Sequence, residues 1–253
     1  MELDDIMLEN EISIDTELFE NELISIDQFL PDSLHIIPIR YRPIFPGIVT
    51  PLIISQGRFT ESINKVFDES RTIGLVLIKD DNKDEVGSKD LYSFGTAAKI
   101  LKKMNLPDGG MNVLINSVKR FKIKEIVSEK KHLIANVQYK EDKIGDKEDI
   151  ELKALTKEVL SLIKRVSENN PLFTEEMKLT MLNVDEPGKI ADFVTSILNI
   201  EKKEYQDVLT TLNVNKRLEK VIRLLNKEME VISIQKRIQK SINEKIDKQQ
   251  KDF

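Results

Sequence analysis

Apolar side chains recur every three or four residues along the C-terminal part of the chain. The positions of this stripe are Leu218, Ile222, Leu225, Met229 and Ile232 in a first register and, after a slip, Ile234, Ile238, Ile242 and Ile246 in a second. Spacings of three and four place side chains on one face of an α-helix, and their alternation is typical of a coiled coil. No proline or glycine interrupts residues 189–253. We therefore predict one long, coiled-coil-like helix over residues 213–253.

The predicted length of this helix indicates a partner. About 38 helical residues would extend for roughly 57 Å, far beyond an average globular helix. A helix of that length cannot bury its whole stripe within its own small domain. We therefore expect the stripe to form a seam with another subunit or another domain, and the chain to self-associate through it.

Short strand patterns with turns between them fill residues 34–142. Strands are predicted over residues 34–40, 73–78, 91–106, 111–118, 120–127 and 132–140, with a short helix over residues 59–69. The apolar run Ile73–Ile78 is typical of a strand that is buried on both faces, and Pro38 indicates an edge strand. Short strands with one small helix favour a partly closed β-barrel.

Helical patterns follow, and they define the rest of the predicted organisation. Residues 147–211 show apolar spacing of period 3.6, interrupted at Pro171 and Pro187, and Asn213 is a candidate N-cap for the long helix. The predicted fold class is α+β. A β-barrel domain over residues 34–142 precedes a helical subdomain over residues 147–211 and the long helix over residues 213–253.

Two apolar segments of the barrel region are candidate binding surfaces. Their residues are Ile44, Phe45, Pro46, Ile48, Met104, Leu106, Pro107 and Met111. The prolines of RPIFPGIVTPL predict a rigid loop, which presents its side chains without an entropy cost on binding. Methionine adapts to varied apolar partners. The alternative interpretation is that these residues only plug the ends of the barrel.

Charge and composition add limits on the environment and the partners. Residues 1–33 contain eleven acidic residues and no basic one, which leaves 39 basic and 33 acidic residues in the rest of the chain. This acidic leader is predicted to be mostly flexible, or else to contact a basic or apolar groove of the body. The chain has no cysteine and no apolar run long enough to span a membrane. These features fit a cytoplasmic protein.

Five segments in order resemble the N-terminal region of the Lon family of ATP-dependent proteases. They are Pro38–Leu52, Leu91–Ile100, Leu106–Gly109, Asp185–Val194 and Asn215–Phe253. The resemblance implies a PUA-like barrel that recognises misfolded or unfolded client proteins, in a parent that is a homohexamer. It also implies that ATP and Mg²⁺ belong to an ATPase module beyond this chain, and that the chain itself holds no cofactor.

Catalytic motifs do not emerge from the sequence. The only Gly-Lys pair, Gly188-Lys189, lacks the spacing of a phosphate-binding loop. No segment resembles the Ser-Lys dyad of the Lon proteolytic domain, and His35 and His132 are interpreted as plain strand residues. We therefore expect no enzymatic activity and no metal site. The alternatives are a free-standing PUA-like RNA-binding protein and a structural coiled-coil oligomerisation module.

RNA binding would require a suitable basic surface. Strand alternation places Arg120, Lys122 and Lys124 on the outer face of the barrel. The chain has no tryptophan, and the neighbouring Glu125 and Glu129 dilute the positive charge. Because single-stranded nucleic acid is bound by stacking on aromatic side chains, we interpret this face as a solvated surface.

Overall fold

The computed structural model describes residues 30–83, 85–145, 149–167 and 186–251, with side chains through residue 244. Most of the acidic leader, residues 1–29, and the segment around Pro171 therefore lie outside the described residues. The strands are β1 (Ser33–Ile39), β2 (Val49–Ile54), β3 (Thr72–Ile78), β4 (Leu91–Asn105), β5 (Met111–Ser128) and β6 (Ile134–Lys140). The helices are α1 (Arg58–Asp68), α2 (Ile150–Ser167), α3 (Pro187–Ile197), α4 (Lys202–Thr210) and α5 (Val214–Lys251), with a 3-10 turn at Ser88–Asp90.

The strands form one mixed sheet in the order β2-β5-β4-β3-β1-β6, and β6 also pairs with β5. The β1–β3 pair is parallel, whereas the other pairs are antiparallel. The two strands predicted over residues 111–118 and 120–127 are a single strand, β5. Ala97 pairs with Lys119 and Ala98 pairs with Ser117, so Val118 is an extra residue in the ladder. This bulge lets β5 bend without ending.

Strand β2 was not predicted, because its first four residues belong to the segment RPIFPGIVTPL, for which a rigid loop was expected. Pro51 lies in the middle of the strand and is exposed. Proline cannot donate a hydrogen bond within a sheet, and it is therefore confined to edge strands. Since β2 pairs only with β5 among the described strands, the unpaired edge accommodates Pro51 without loss of a ladder hydrogen bond.

Both faces of the central strands are buried. Ile37, Leu75 and Val113 pack on one face together with α1, and Ile36, Val76 and Phe121 pack on the other. All seven residues of β3 are buried, which confirms the prediction for its apolar run. The ring of Phe121 lies so close to Gly95 that a Cβ at Gly95 would be 2.9 Å from it.

The helices share a separate apolar core. Leu162, Val194, Leu209 and Leu218 lie at its centre, contributed by α2, α3, α4 and α5 in turn. Helix α5 begins at the predicted cap, because Asn213 Oδ1 accepts a hydrogen bond of 2.9 Å from the Lys216 amide.

Candidate functional site

A cleft of about 1260 Å³ lies between the end of β1 and the unpaired edge of β2. Its apolar lining includes Ile39 of β1, Leu52 and Ile54 of β2, Ile44 and the aromatic ring of Phe59 of α1. Small-molecule pockets have volumes of roughly 300–1,000 Å³. The cleft is therefore large enough for a ligand that extends along the strands.

Arg58 fixes the wall of the cleft at the start of α1. Its guanidinium donates one hydrogen bond to the Glu129 carbonyl at 3.2 Å and a short one to the Val86 carbonyl, and it lies 4.7 Å from the centre of the Phe59 ring. These contacts tie α1 to the loop after β5 and to the loop before the 3-10 turn. Sequence patterns did not single out this role, because both acceptors are backbone carbonyls.

Two further arginines line the cleft and are also bound to backbone carbonyls. Arg40 donates to the carbonyls of Asp81 and Lys83 at 2.9 and 3.0 Å, and Arg42 donates to that of Ser196 at 3.0 Å. The acidic side chains on the cleft are those of Glu85, Asp90 and Glu129. The cleft thus carries equal numbers of basic and acidic groups, and its arginines are engaged by the protein itself.

The predicted binding loop over residues 44–48 connects the two cores. Phe45 is 0% exposed and packs in the helical core with Ile48, whereas Ile44 packs against the β core. The Ser117 hydroxyl donates to the Phe45 carbonyl and accepts from the Ile48 amide at 2.9 Å. Phe45 therefore occupies an interior position, unlike the exposed one that the sequence suggested. Pro46 is half-buried at the same junction.

The second predicted segment lies at the end of the cleft. Met104 is 57% exposed and Pro107 is exposed, whereas Leu106 is half-buried and Met111 is buried. The turn between β4 and β5 lies against the end of β2 and the residues after it, because a Cβ added at Gly110 would be 2.9 Å from the Ile54 carbonyl oxygen and one at Gly109 would be 2.7 Å from the Gln56 side chain. Since Gln56 lines the cleft, the structure places this turn beside the cleft rather than at a separate site.

A buried ion-pair group joins the sheet to the helices. Arg120 contacts Asp192 at 2.5 Å and donates to the Leu209 carbonyl, and Arg217 contacts Asp192 at 3.2 Å and Asp142 at 2.5 Å. Burial raises the pKa of the Asp192 carboxyl, and the two guanidinium groups oppose that shift.

This arrangement corrects the expectation of a solvated basic face. Arg120 points away from the sheet core, as predicted, but the helices cover it and leave it only 3% exposed. Lys122 and Lys124 are exposed. The sequence could not reveal the ion pairs, because the paired residues lie 22 to 75 positions apart along the chain.

The two histidines, expected to be unrelated strand residues, contact each other. Their ring centres are 5.2 Å apart, and His132 lies in the bend before β6 rather than in a strand. His132 Nδ1 is 2.8 Å from the Ser62 hydroxyl, which also donates to the Arg58 carbonyl. Burial, the neighbouring His132 and Lys65 lower the pKa of His35, while Glu69 opposes them.

The stripe of α5 divides into a packed part and an exposed part. Leu218 and Leu225 are fully buried, and Ile222, Met229 and Ile232 pack at the margin of the helical core. The expectation that its own domain could not cover the stripe is therefore wrong for this first part. Ile238 and Ile242 are 55% and 45% exposed. The Ile246 side chain lies outside the described residues.

The Gly188-Lys189 pair forms the first turn of α3. Lys189 pairs with Glu186 at 2.9 Å, and Gly188 packs against Asp142 and Arg217. Within the described ranges, no cluster of three or more His, Cys, Asp or Glu side chains could hold a metal ion. A search of the same residues finds no helix that could cross a membrane.

Solved structures of similar fold come from N-terminal domains. The N-terminal domain of the Mycobacterium avium complex Lon protease matches 77% of this chain and 98% of its own, with a TM-score of 0.62 and 20% identity. A Lon N-terminal domain protein from Xanthomonas campestris matches 76% and 97%, with a TM-score of 0.52 and 15% identity. The chain thus has the α+β fold of these two solved domains.

Sequence comparisons then identify the family. The family model described as ATP-dependent protease La (LON) substrate-binding domain matches residues 33–227. The Lon protease of Leptospira interrogans is 48% identical over 234 residues, and that of Treponema pallidum is 46% identical over 232 residues. The chain belongs to the Lon substrate-binding domain family. The matches cover 92% and 91% of this chain but only 28% and 26% of the two relatives.

Proposed function

We propose that the chain is the substrate-recognition and assembly region of an ATP-dependent Lon protease that degrades misfolded and selected regulatory proteins. The observation that carries this proposal is the family match over residues 33–227. ATP, Mg²⁺ and the proteolytic serine would act in other modules of the parent. The chain itself would bind clients without catalysing a reaction, in the cytoplasm.

The proposed organisation has a PUA-like, partly closed barrel over residues 34–142 and a helical subdomain over residues 147–211. Pairing of β6 with both β1 and β5 supports the barrel. The division is supported by the separate apolar cores of the sheet and the helices. Residues 213–253 would link this region to the ATPase module and contact neighbouring subunits of a homohexamer.

Clients would bind through apolar surface rather than through charge. The cleft holds as many acidic as basic groups, and its arginines already bind backbone carbonyls. Exposed Met104 and Pro107 extend the apolar surface beyond the cleft. Burial of apolar area stabilises a complex by about 25 cal/mol per Å² before the costs of association. Such a surface favours weak binding of unfolded segments, strengthened when a hexamer presents several copies.

A binding experiment with matched forms of one protein tests the proposed function. Fluorescence anisotropy would compare a labelled protein that is held unfolded by reduction and carboxymethylation with its native counterpart. We expect binding of the unfolded form alone, with a Kd in the micromolar to sub-millimolar range that changes little with salt. Selective binding of single-stranded RNA with a steep salt dependence would instead favour the RNA-binding alternative. Equal binding of native and unfolded protein would contradict client recognition.

A further inference from the structure

The sheet has room for one more strand beside the outer edge of β2. Strand β6 pairs with β1 over Ser33–His35 and with β5 from Arg120 onward. Strand β2 pairs with the other end of β5, over Met111–Asn116. Among the described strands, none pairs with the second edge of β2. The cleft occupies that position, with the end of β1 on its opposite side.

The backbone groups of β2 that face the cleft can be assigned from its register. The Ser117 amide donates to the Ile48 carbonyl at 3.0 Å, so the backbone of Ile48 faces β5. Backbone direction alternates along an antiparallel strand. The backbone groups of Thr50, Leu52 and Ile54 therefore face β5, and those of Val49, Pro51 and Ile53 face the opposite edge, where Pro51 and Ile53 line the cleft. The position of Pro51 agrees with this assignment, because its nitrogen has no hydrogen to donate.

Strand β1 presents a similar edge. The Ile36 amide donates to the Leu133 carbonyl at 2.7 Å, so Ile36 faces the β6 side. By the same alternation, the backbone of Pro38 points to the same edge of β1 as that of Ile36, at the end of the strand that lines the cleft. Each edge beside the cleft therefore carries a proline. Proline on an edge strand weakens pairing with other sheets, and these two residues limit how strongly any strand can bind.

We propose that this cleft binds an extended, apolar segment of a client polypeptide as an added strand on β2. The amides of Val49 and Ile53 have no partner strand among the described residues, and together with the carbonyls of all three residues on this edge they complement the main chain of an extended peptide. Alternate side chains of the peptide would contact the apolar cleft wall, and the others would lie beside Val49 and Ile53, which are 49% and 72% exposed. This inference rests on the proposed client-binding function and specifies its site.

Two positions separate main-chain recognition from side-chain contact. Ile53→Pro removes a cleft-facing amide at a position equivalent to Pro51, where the ladder with β5 does not need it. Ile53→Ala keeps the amide and removes more of the side chain, so it is the matched control. Pro51→Val adds an amide to the same edge. One hydrogen bond contributes about 0.5–1.5 kcal/mol, which corresponds to a change in Kd of about two- to twelvefold.

The probe is a labelled twelve-residue peptide in which valine or isoleucine alternates with threonine or lysine. Its binding to the full 253-residue chain is measured by anisotropy, and circular dichroism verifies that each variant is folded. We expect Ile53→Pro to bind at least twofold more weakly than Ile53→Ala, and Pro51→Val to bind at least twofold more tightly than the wild type. Equal affinity of the two Ile53 variants, with no gain for Pro51→Val, would overturn the inference.

Amide hydrogen exchange gives an independent measurement on the wild-type chain. Peptide binding should slow exchange at Val49 and Ile53 by at least tenfold, while Thr50 and Leu52, already paired with β5, change little. Absence of added protection at Val49 and Ile53 when the peptide is bound would overturn the inference and leave client recognition intact. A wild-type chain that binds neither the peptide nor the unfolded protein would overturn both proposals.

Discussion

At the level of single residues, the ion-pair group of Arg120, Asp142, Asp192 and Arg217 is the main polar connection between the sheet and the helices. Asp192 is 2% exposed and contacts both arginines. A buried carboxylate costs free energy in desolvation, which paired guanidinium groups offset. The group therefore contributes to the relative position of the sheet and the helices, and its net effect on stability is smaller than the number of ion pairs suggests.

Asp192→Asn should lower the free energy of unfolding by about 3 kcal/mol, because it removes the charge of the more deeply buried of the two carboxylates that pair with both guanidinium groups. Urea unfolding followed by circular dichroism measures this change. Asp207→Asn is the matched control, since Asp207 is 60% exposed in its pair with Lys220 and such pairs contribute at most about 1 kcal/mol. Equal losses in the two variants would contradict the importance of the buried group.

The candidate residues Phe45 and Met104 should respond differently to the same substitution. Phe45→Ser removes a fully buried ring from the helical core, and loss of a buried phenylalanine costs about 3–5 kcal/mol. Met104→Ser should change stability by less than about 0.5 kcal/mol, because its side chain is largely exposed. Thermal melts measure both effects. Met104→Ser should also weaken binding of unfolded protein, and unchanged binding would remove the turn from the client site.

The histidine pair predicts a pH dependence of stability. Because the folded-state pKa of His35 is lowered, the unfolded chain binds a proton more readily. At a pH well above the ordinary histidine pKa of about 6.5, His35 should not change the free energy of unfolding. That free energy should fall as the pH drops from the pKa of His35 in the unfolded chain toward its lower pKa in the folded chain. His35→Gln should flatten urea-unfolding profiles between about pH 7 and 5. Parallel profiles of wild type and variant would contradict this assignment.

At the level of elements, local periodicity identified most helices and strands, but tertiary pairing determined the exceptions. Buried β3 and the N-cap of α5 followed from apolar runs and cap chemistry. Strand β2 was not predicted, because a proline weakens the prediction of a strand at any position. Only the order of the strands shows that Pro51 lies on an edge that pairs with no described strand. Likewise, residues 111–128 form a single strand with a bulge at Val118, although their sequence pattern predicts two strands.

The long helix illustrates what a periodic stripe cannot distinguish. The same spacing predicts contact with a helix of the same chain and contact with a second copy. The structure assigns Leu218, Leu225 and their neighbours to the helical core, and the exposed Ile238 and Ile242 remain candidates for the subunit seam. Self-association through this part of α5 stays a prediction.

Ile238→Asp should reduce self-association while leaving the fold intact, because a carboxylate in an apolar seam costs several kcal/mol but costs little on an exposed helix. Sedimentation at high protein concentration measures the mass distribution. Gln239→Asp adds the same charge at the neighbouring exposed position and serves as the control. A wild-type chain that does not associate, or a mass distribution that is the same in both variants, would contradict the proposed seam.

At the level of the whole molecule, the α+β class followed from the order of local patterns, and the family followed from five resembling segments in the right order. The location of the candidate binding surface did not. The sequence placed it on two apolar segments, whereas the structure buries Phe45 in the helical core and brings the 104–111 turn beside β2. Burial of a loop depends on helices that begin a hundred residues later, so no local pattern could reveal it.

The most direct test of the account is a hydrogen-exchange footprint of an unfolded client on the intact chain, measured by mass spectrometry. A client-binding cleft beside β2 predicts slower exchange in β2 and in the turn after β4 when a reduced, carboxymethylated protein is bound, with no change when its native form is added. Protection confined to the exposed part of α5 or to Lys122 and Lys124 of β5, with none in β2, would contradict a client-binding cleft between β1 and β2.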